Sequence, residues 1–153
     1  MKNRILVPLD GSELAECALN YVRATIKEGA AGAVTLLNVV NTDISWAKIG
    51  YSSYSESIDR IREEHFLSAK QYLSDLESKL GSEGIEAIAV VLKASRPAPA
   101  ITDFARQNNM DMIVLATHGH TGLQKMMLGS VTLEVLHDAH VPVLVITPEA
   151  CRA

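Results

Sequence analysis

Met112-Ile113-Val114-Leu115-Ala116-Thr117-His118-Gly119-His120-Thr121-Gly122-Leu123-Gln124-Lys125-Met126-Met127-Leu128-Gly129-Ser130-Val131-Thr132 holds the junction from which the architecture can be worked out. The run from Met112 to Leu115 is short and wholly apolar, as expected of a strand buried on both faces. From Val131 to Ala139 the pattern is helical, opened by a small hydroxyl residue, Ser130, read as the cap. Between strand and helix lies a glycine-bearing loop. Glycines at such a junction let backbone approach a ligand closely, and the N–H groups of the helix start form an anion site. No Asp or Glu occurs between Met112 and Leu133, although the chain carries a net charge of −4. A phosphate would meet no carboxylate there. The plain alternative is a glycine-rich connector with an ordinary Ser cap, and glycines alone do not separate the two.

Outward from this junction, short apolar runs alternate with helix-length segments, the pattern of βαβ units and a parallel sheet. Ile5 to Leu9 reads as the first strand. Leu14, Ala18, Tyr21, Val22 and Ile26 recur at helical spacing, with closure at Gly29 and Gly32. Val34 to Val40 is the second strand. Asn41 to Ser55, with Trp46, Gly50, Tyr51 and Tyr54, has no period and reads as a long loop. Ile58, Ile61, His65, Ala69, Tyr72, Leu76 and Leu80 mark one face of a long helix ending at Gly81, with His65 read as a partly buried imidazole. Ala87 to Leu92 is the third strand and Ala98 to Gln107 the third helix, stopped by Asn108-Asn109. Val143 to Ile146 is the fifth strand. Right-handed crossovers favour an open, doubly wound α/β sheet of five parallel strands in the order 3-2-1-4-5, a Rossmann-like fold, with residues 1–153 as one domain. That order places Asp10, after strand 1, and the glycine loop, after strand 4, at one crevice.

The composition, 48% hydrophobic and 21% charged over 153 residues, excludes a disordered chain and allows a sizeable core. Negative net charge without a basic stripe argues against nucleic acid, and Lys93 and Arg96 read as isolated loop charges. The first residues turn polar too soon for a signal peptide, and no apolar run spans a bilayer, so no membrane partner is expected. Cys17 falls in a helical pattern and reads as a small core residue. Cys151 reads as part of a mobile tail, and their spacing suggests neither metal nor disulfide. The expectation is a reduced, cytoplasmic protein.

Asp10-Gly11-Ser12-Glu13 stands at a strand-to-helix turn. Asp10 fits an N-cap completed by Glu13 in a capping box, and equally a group facing the crevice toward ribose hydroxyls or a cation. Here the chain resembles the universal stress protein family over nearly its whole length. Ile5-Leu6-Val7-Pro8-Leu9-Asp10-Gly11-Ser12 is similar to the family's first strand and Val-x-x-Asp-x-Ser turn. Leu36-Leu37-Asn38-Val39-Val40 resembles the second strand, with Asn38 where many members carry His, and Ser95-Arg96-Pro97 stands where Gly-x-Pro is common. Gly119, nine residues, Gly129 and Ser130 fit the glycine spacing of nucleotide-binding members, while Ala116 occupies the first glycine position.

The resemblance implies an adenine nucleotide, ATP or another, with or without magnesium. Asp10 would contact the ribose, with Ala116 at the same end and Pro8 among the nucleotide-binding residues, Val39 would meet adenine through its backbone, and Gly119, Gly129, Ser130, Val131 and Thr132 would wrap the phosphates. It also implies a homodimer through the last strand, Val143 to Ile146, whose apolar edge invites pairing. The function expected is a stress-response regulatory switch, with at most weak ATP hydrolysis.

Two other readings compete. One is a slow ATPase or nucleotidyl-transfer enzyme, for which Asp10 or His118 would have to serve as base. The other is a dimeric interaction module without nucleotide, favoured by Ala116 and Ser95. No Walker A lysine follows the glycines, and no Gly-x-Ser-x-Gly elbow surrounds Ser130. His118 and His120 form an alternating His-x-His, which can chelate a metal, but no Cys or acidic residue lies nearby in sequence, so no metal site is expected. Lys125 reads as a loop lysine and Met126, Met127 and Leu128 as a packing patch.

Overall fold

The computed structural model describes residues 3–29, 31–43, 55–117 and 129–151. In chain order the elements are β1 (Asn3–Pro8), α1 (Glu13–Lys27), β2 (Ala31–Asn41), α2 (Ser55–Ser82), β3 (Ala87–Ala94), α3 (Pro97–Gln107), β4 (Met112–Ala116), α4 (Ser130–Asp138), β5 (Val143–Ile146) and α5 (Pro148–Cys151). The sheet order is β3-β2-β1-β4-β5, all parallel. This is the expected doubly wound order.

Alternation along the strands fills two cores. Ile5, Val7, Val34, Leu36 and Val114 turn to the face covered by α1 and α2, where they meet Leu19, Val22, Leu73, Leu76 and Leu80. Leu6, Leu37, Ile113 and Leu115 turn to the other face, with Ile101, Ala105 and Val135 from α3 and α4. Both strand faces are apolar because both are covered, which is why the strands read as unbroken apolar runs. The crossover side changes between β1 and β4, so that is the switch point of the fold.

Several local readings are corrected. The glycine that ends α1 is Gly29, at φ 76, whereas Gly32 lies inside β2. Tyr21 is exposed rather than on the buried stripe of α1. On α2, His65 is exposed, and Leu73 belongs to the buried stripe instead. Asn109 takes φ 51 after the Asn108 cap of α3, as its αL reading requires. Pro97 opens α3 at a position where a fixed φ costs nothing. Lys93 lies within β3, its Nζ 4.4 Å from the Phe66 ring centroid and 3.8 Å from Glu63, and Arg96 pairs with Glu134 at 2.8 Å. Neither is an isolated charge.

The largest departure is covalent. Cys17 and Cys151 are disulfide-bonded across a separation of 134 residues, with Cα atoms 5.7 Å apart. Cys17 is therefore no simple core residue, and the tail is tied down through α5.

Candidate functional site

Strands β1 and β4 pair only at Ile5↔Met112 and Leu6↔Ile113, whereas β1 and β2 stay in register through Pro8↔Leu37. Beyond Leu6 the two central strands part, and a crevice opens at their carboxyl ends. Its cavity is about 370 Å³, within the range of small-molecule sites.

The β1–α1 turn forms one wall. Leu9 N–H donates to the Leu37 carbonyl at 2.8 Å, and the Leu9 carbonyl accepts from Asn38 Nδ2 at 2.9 Å. Leu9 is thus held by β2 at both ends of the residue. Gly11 follows at φ 89, a conformation that favours glycine. Asp10 Oδ1 then accepts the Ser12 N–H at 2.9 Å, and Ser12 Oγ accepts the Ala15 N–H at 3.1 Å. The N-cap of α1 is therefore Ser12, not Asp10, and no capping box joins Asp10 to Glu13. Either residue of Asp-Gly-Ser can cap, and the positive φ at Gly11 decides in favour of the serine. Asp10 stays at the crevice wall, exposed, with its carboxylate braced by its own turn.

Gly129 and the start of α4 form the opposite wall. The cap is Gly129, not Ser130, and among the described residues no side-chain hydrogen bond caps the first turn of α4. Ser130, Val131 and Thr132 follow along the cavity. Gly129 sits at φ −59, and a Cβ added there would meet nothing within 4 Å among the described residues. The described residues around it do not demand glycine at this position.

The crevice thus gathers Pro8, Asp10, Val39, Ala116, Gly129, Ser130, Val131 and Thr132 from four separate regions of sequence. Of the candidate residues, Gly119 lies outside the described residues, as do His118, His120, Lys125, Met126, Met127 and Leu128, and most of the Asn41 to Ser55 segment. Ala116 ends β4 without a positive φ, so its backbone does not call for glycine. Its side chain packs toward the α1/α2 core.

Sequence reasoning did not pick out the apolar end of the cavity, where Leu37, Pro97, Ile101 and Leu115 join Val39. Leu37, Ile101 and Leu115 look like ordinary core residues in sequence, and only the parting of β1 and β4 brings them to a cavity wall. Behind the α1 wall, Tyr72 donates to Glu16 at 3.0 Å, and burial followed by that hydrogen bond pushes the phenol above its ordinary value. Among the described residues no group of three His, Cys, Asp or Glu could hold a metal ion, and no helix is long and apolar enough to cross a membrane.

Fold and crevice define a doubly wound parallel α/β protein with a small-molecule-sized cavity at its switch point. Residues 1–147 match the model of the universal stress protein family, and the chain belongs to that family. It is 31% identical to universal stress protein MJ0577 of Methanocaldococcus jannaschii over 156 residues, covering 95% of each chain. The solved structure of MJ0577 superimposes with a TM-score of 0.79 at 30% identity, over 96% of both chains. Two more distant structures share the fold. One is a universal stress protein from Archaeoglobus fulgidus in complex with dAMP, at TM-score 0.62 and 21% identity over 95% of this chain and 98% of that one. The other is a family protein from Arabidopsis thaliana with AMP bound, at TM-score 0.66 and 17% identity over 95% and 91%.

Proposed function

We propose that this chain is a stress-response regulatory protein that binds an adenine nucleotide in the β1/β4 crevice. The observation that carries this reading is the convergence of the Asp10 turn, Val39 and the Gly129–Thr132 segment on one cavity at the switch point. The cavity is chemically graded. Leu37, Val39, Pro97 and Ile101 offer an apolar slot for a base, recognised through backbone groups at Val39. Asp10 and Ala116, both at the cavity wall, are assigned to the ribose. Uncapped N–H groups at the start of α4 suit phosphate, and no acidic side chain lies in the first turn of that helix. Gly119 joins this phosphate end by its place in the family spacing. The AMP- and dAMP-bound relatives support the choice of adenine nucleotide. The ligand class is AMP, ATP or a close analogue, with or without magnesium. Calorimetric titration with AMP, ATP and GMP tests the reading: saturable binding of the adenine nucleotides is expected, and no heat with either would refute it.

The same proposal includes a homodimer through β5, the last strand of the sheet, with exposed Leu133 and Leu136 on neighbouring α4. Thr117 N–H donates to the Ile146 carbonyl at 3.0 Å, so the end of β4 at the crevice is joined to the end of β5 at the sheet edge. A nucleotide that firms the crevice would be felt at that edge, which is the physical content of a homodimeric switch. Light scattering at micromolar concentration should give twice the chain mass, and a monomer would contradict it.

A further inference from the structure

The Cys17–Cys151 bond ties α1, which carries one wall of the crevice, to the β5 side of β4. Cys17 lies on α1 two residues after Ala15, which lines the cavity, and α1 is fixed at its start by the Ser12 cap beside Asp10. Cys151 ends α5, five residues after Ile146. Ile146 pairs in register with Ala116 and accepts the Thr117 N–H, where the chain leaves β4 for the opposite wall. A path therefore runs from the Asp10 turn through α1, the disulfide, α5 and β5 to the end of β4. All but one link of it is covalent or an intact secondary-structure element, the exception being the β4–β5 hydrogen bonds.

We propose that Cys17–Cys151 is a thiol–disulfide exchange site whose oxidation state sets nucleotide affinity, an inference that rests on the nucleotide reading above. Both cysteines are half-buried. The start of α5 is held by the Ala150 N–H donating to the Thr147 carbonyl at 3.1 Å, and the disulfide joins its last residue to α1. With the bond closed, the β4–β5 end of the crevice is fixed against α1. With it open, four-residue α5 is too short to stay helical or docked unaided. The Ala116–Thr117 end then loses its covalent brace.

The exchange balances with a low-molecular-weight thiol, RSH, as reductant. Its thiolate attacks one sulfur, the protein S–S bond breaks, and the released cysteine takes the proton that RSH lost. A second thiolate attacks the mixed disulfide and leaves as RS–SR, and the other cysteine is protonated. Two RSH are oxidised and two protein thiols form; a low-molecular-weight disulfide drives the reverse. Linkage makes the coupling reciprocal: whatever factor oxidation adds to nucleotide affinity, nucleotide adds to the thiol–disulfide equilibrium.

The test uses the full chain in three states: oxidised, reduced with a phosphine, and Cys151→Ser, with AMP titrated calorimetrically into each and circular dichroism recorded in parallel. AMP should bind about five-fold or more weakly to the reduced chain and to Cys151→Ser than to the oxidised chain. Saturating AMP should shift a thiol redox titration toward the disulfide by the same factor. Equal affinity in folded oxidised and reduced chains would overturn the coupling and leave the nucleotide site standing. No binding in any state would overturn the nucleotide reading and the coupling with it. Two freely alkylated thiols after mild oxidation would overturn the exchange site itself. Failure of both the reduced chain and Cys151→Ser to fold, read by circular dichroism, would make the bond a brace of the whole fold and overturn a coupling specific to the crevice.

Discussion

Consider the substitution Gly129→Ser. Gly129 caps α4 at φ −59 and ψ 156, angles any residue adopts, and a Cβ there meets nothing within 4 Å among the described residues. Serine is a better N-cap than glycine by a few tenths of a kcal/mol, about 1 °C of melting temperature for a domain of this size. Its hydroxyl would accept the Val131 or Thr132 N–H. Those are the donors assigned to phosphate, so the cap and the nucleotide compete. Losing one charge-assisted hydrogen bond costs about 1.5–3 kcal/mol, or roughly ten- to hundred-fold in affinity. The substitution should therefore leave the melting temperature unchanged or slightly raised while AMP affinity falls by at least about ten-fold. Thermal unfolding and AMP calorimetry on the same preparation read both quantities. Wild-type AMP affinity in a normally folded Gly129→Ser protein would refute the placement of phosphate at α4. A marked drop in melting temperature would refute the argument that the fold does not need this glycine.

Other outcomes follow from the same geometry. Asn38→Leu removes the amide that donates to the Leu9 carbonyl and should cost about 1–3 kcal/mol in urea denaturation, with weaker AMP binding because Asp10 is next in the chain. Ile113→Ala, at a fully buried position beneath the crevice, should cost about 2–5 kcal/mol. Tyr72 has a pKa raised in the fold above the ordinary 10.0, so its stabilising contribution is complete below pH 10 and lost as pH rises through the folded value. Phenolate absorbance should accordingly show one of the four tyrosines ionising only with unfolding. Reducing Cys17–Cys151 relaxes a 134-residue constraint on the unfolded chain, which corresponds to up to about 5 kcal/mol of stability in the loop-entropy account, measurable by denaturation with and without a phosphine.

The sheet order was legible in the sequence because each strand is covered on both faces and so stands out as an apolar run between helical periods. Its consequence, that Asp10 and Gly129 face one crevice, followed from topology alone. The caps were legible only to within a residue or so. In Asp10-Gly11-Ser12 and in Gly129-Ser130 neighbouring residues can each terminate a helix, and the backbone angles at Gly11 and Gly129 decide. The apolar end of the cavity was hidden, since Leu37 and Ile101 have the same pattern as any core residue until β1 and β4 part. The disulfide was hidden for a different reason. A separation of 134 residues carries no spacing signal, and Cys17 in an amphipathic helix looks like any small apolar residue.

The central claim concerns what occupies the crevice. The most direct test is to purify the chain without added nucleotide, denature it, and analyse the protein-free supernatant by chromatography with adenine absorbance, after adding AMP and removing the unbound excess in a parallel sample. The account predicts adenine nucleotide released in proportion to chain from the loaded sample, and a strongly reduced yield from Gly129→Ser. A supernatant without adenine from the loaded wild-type protein would contradict it.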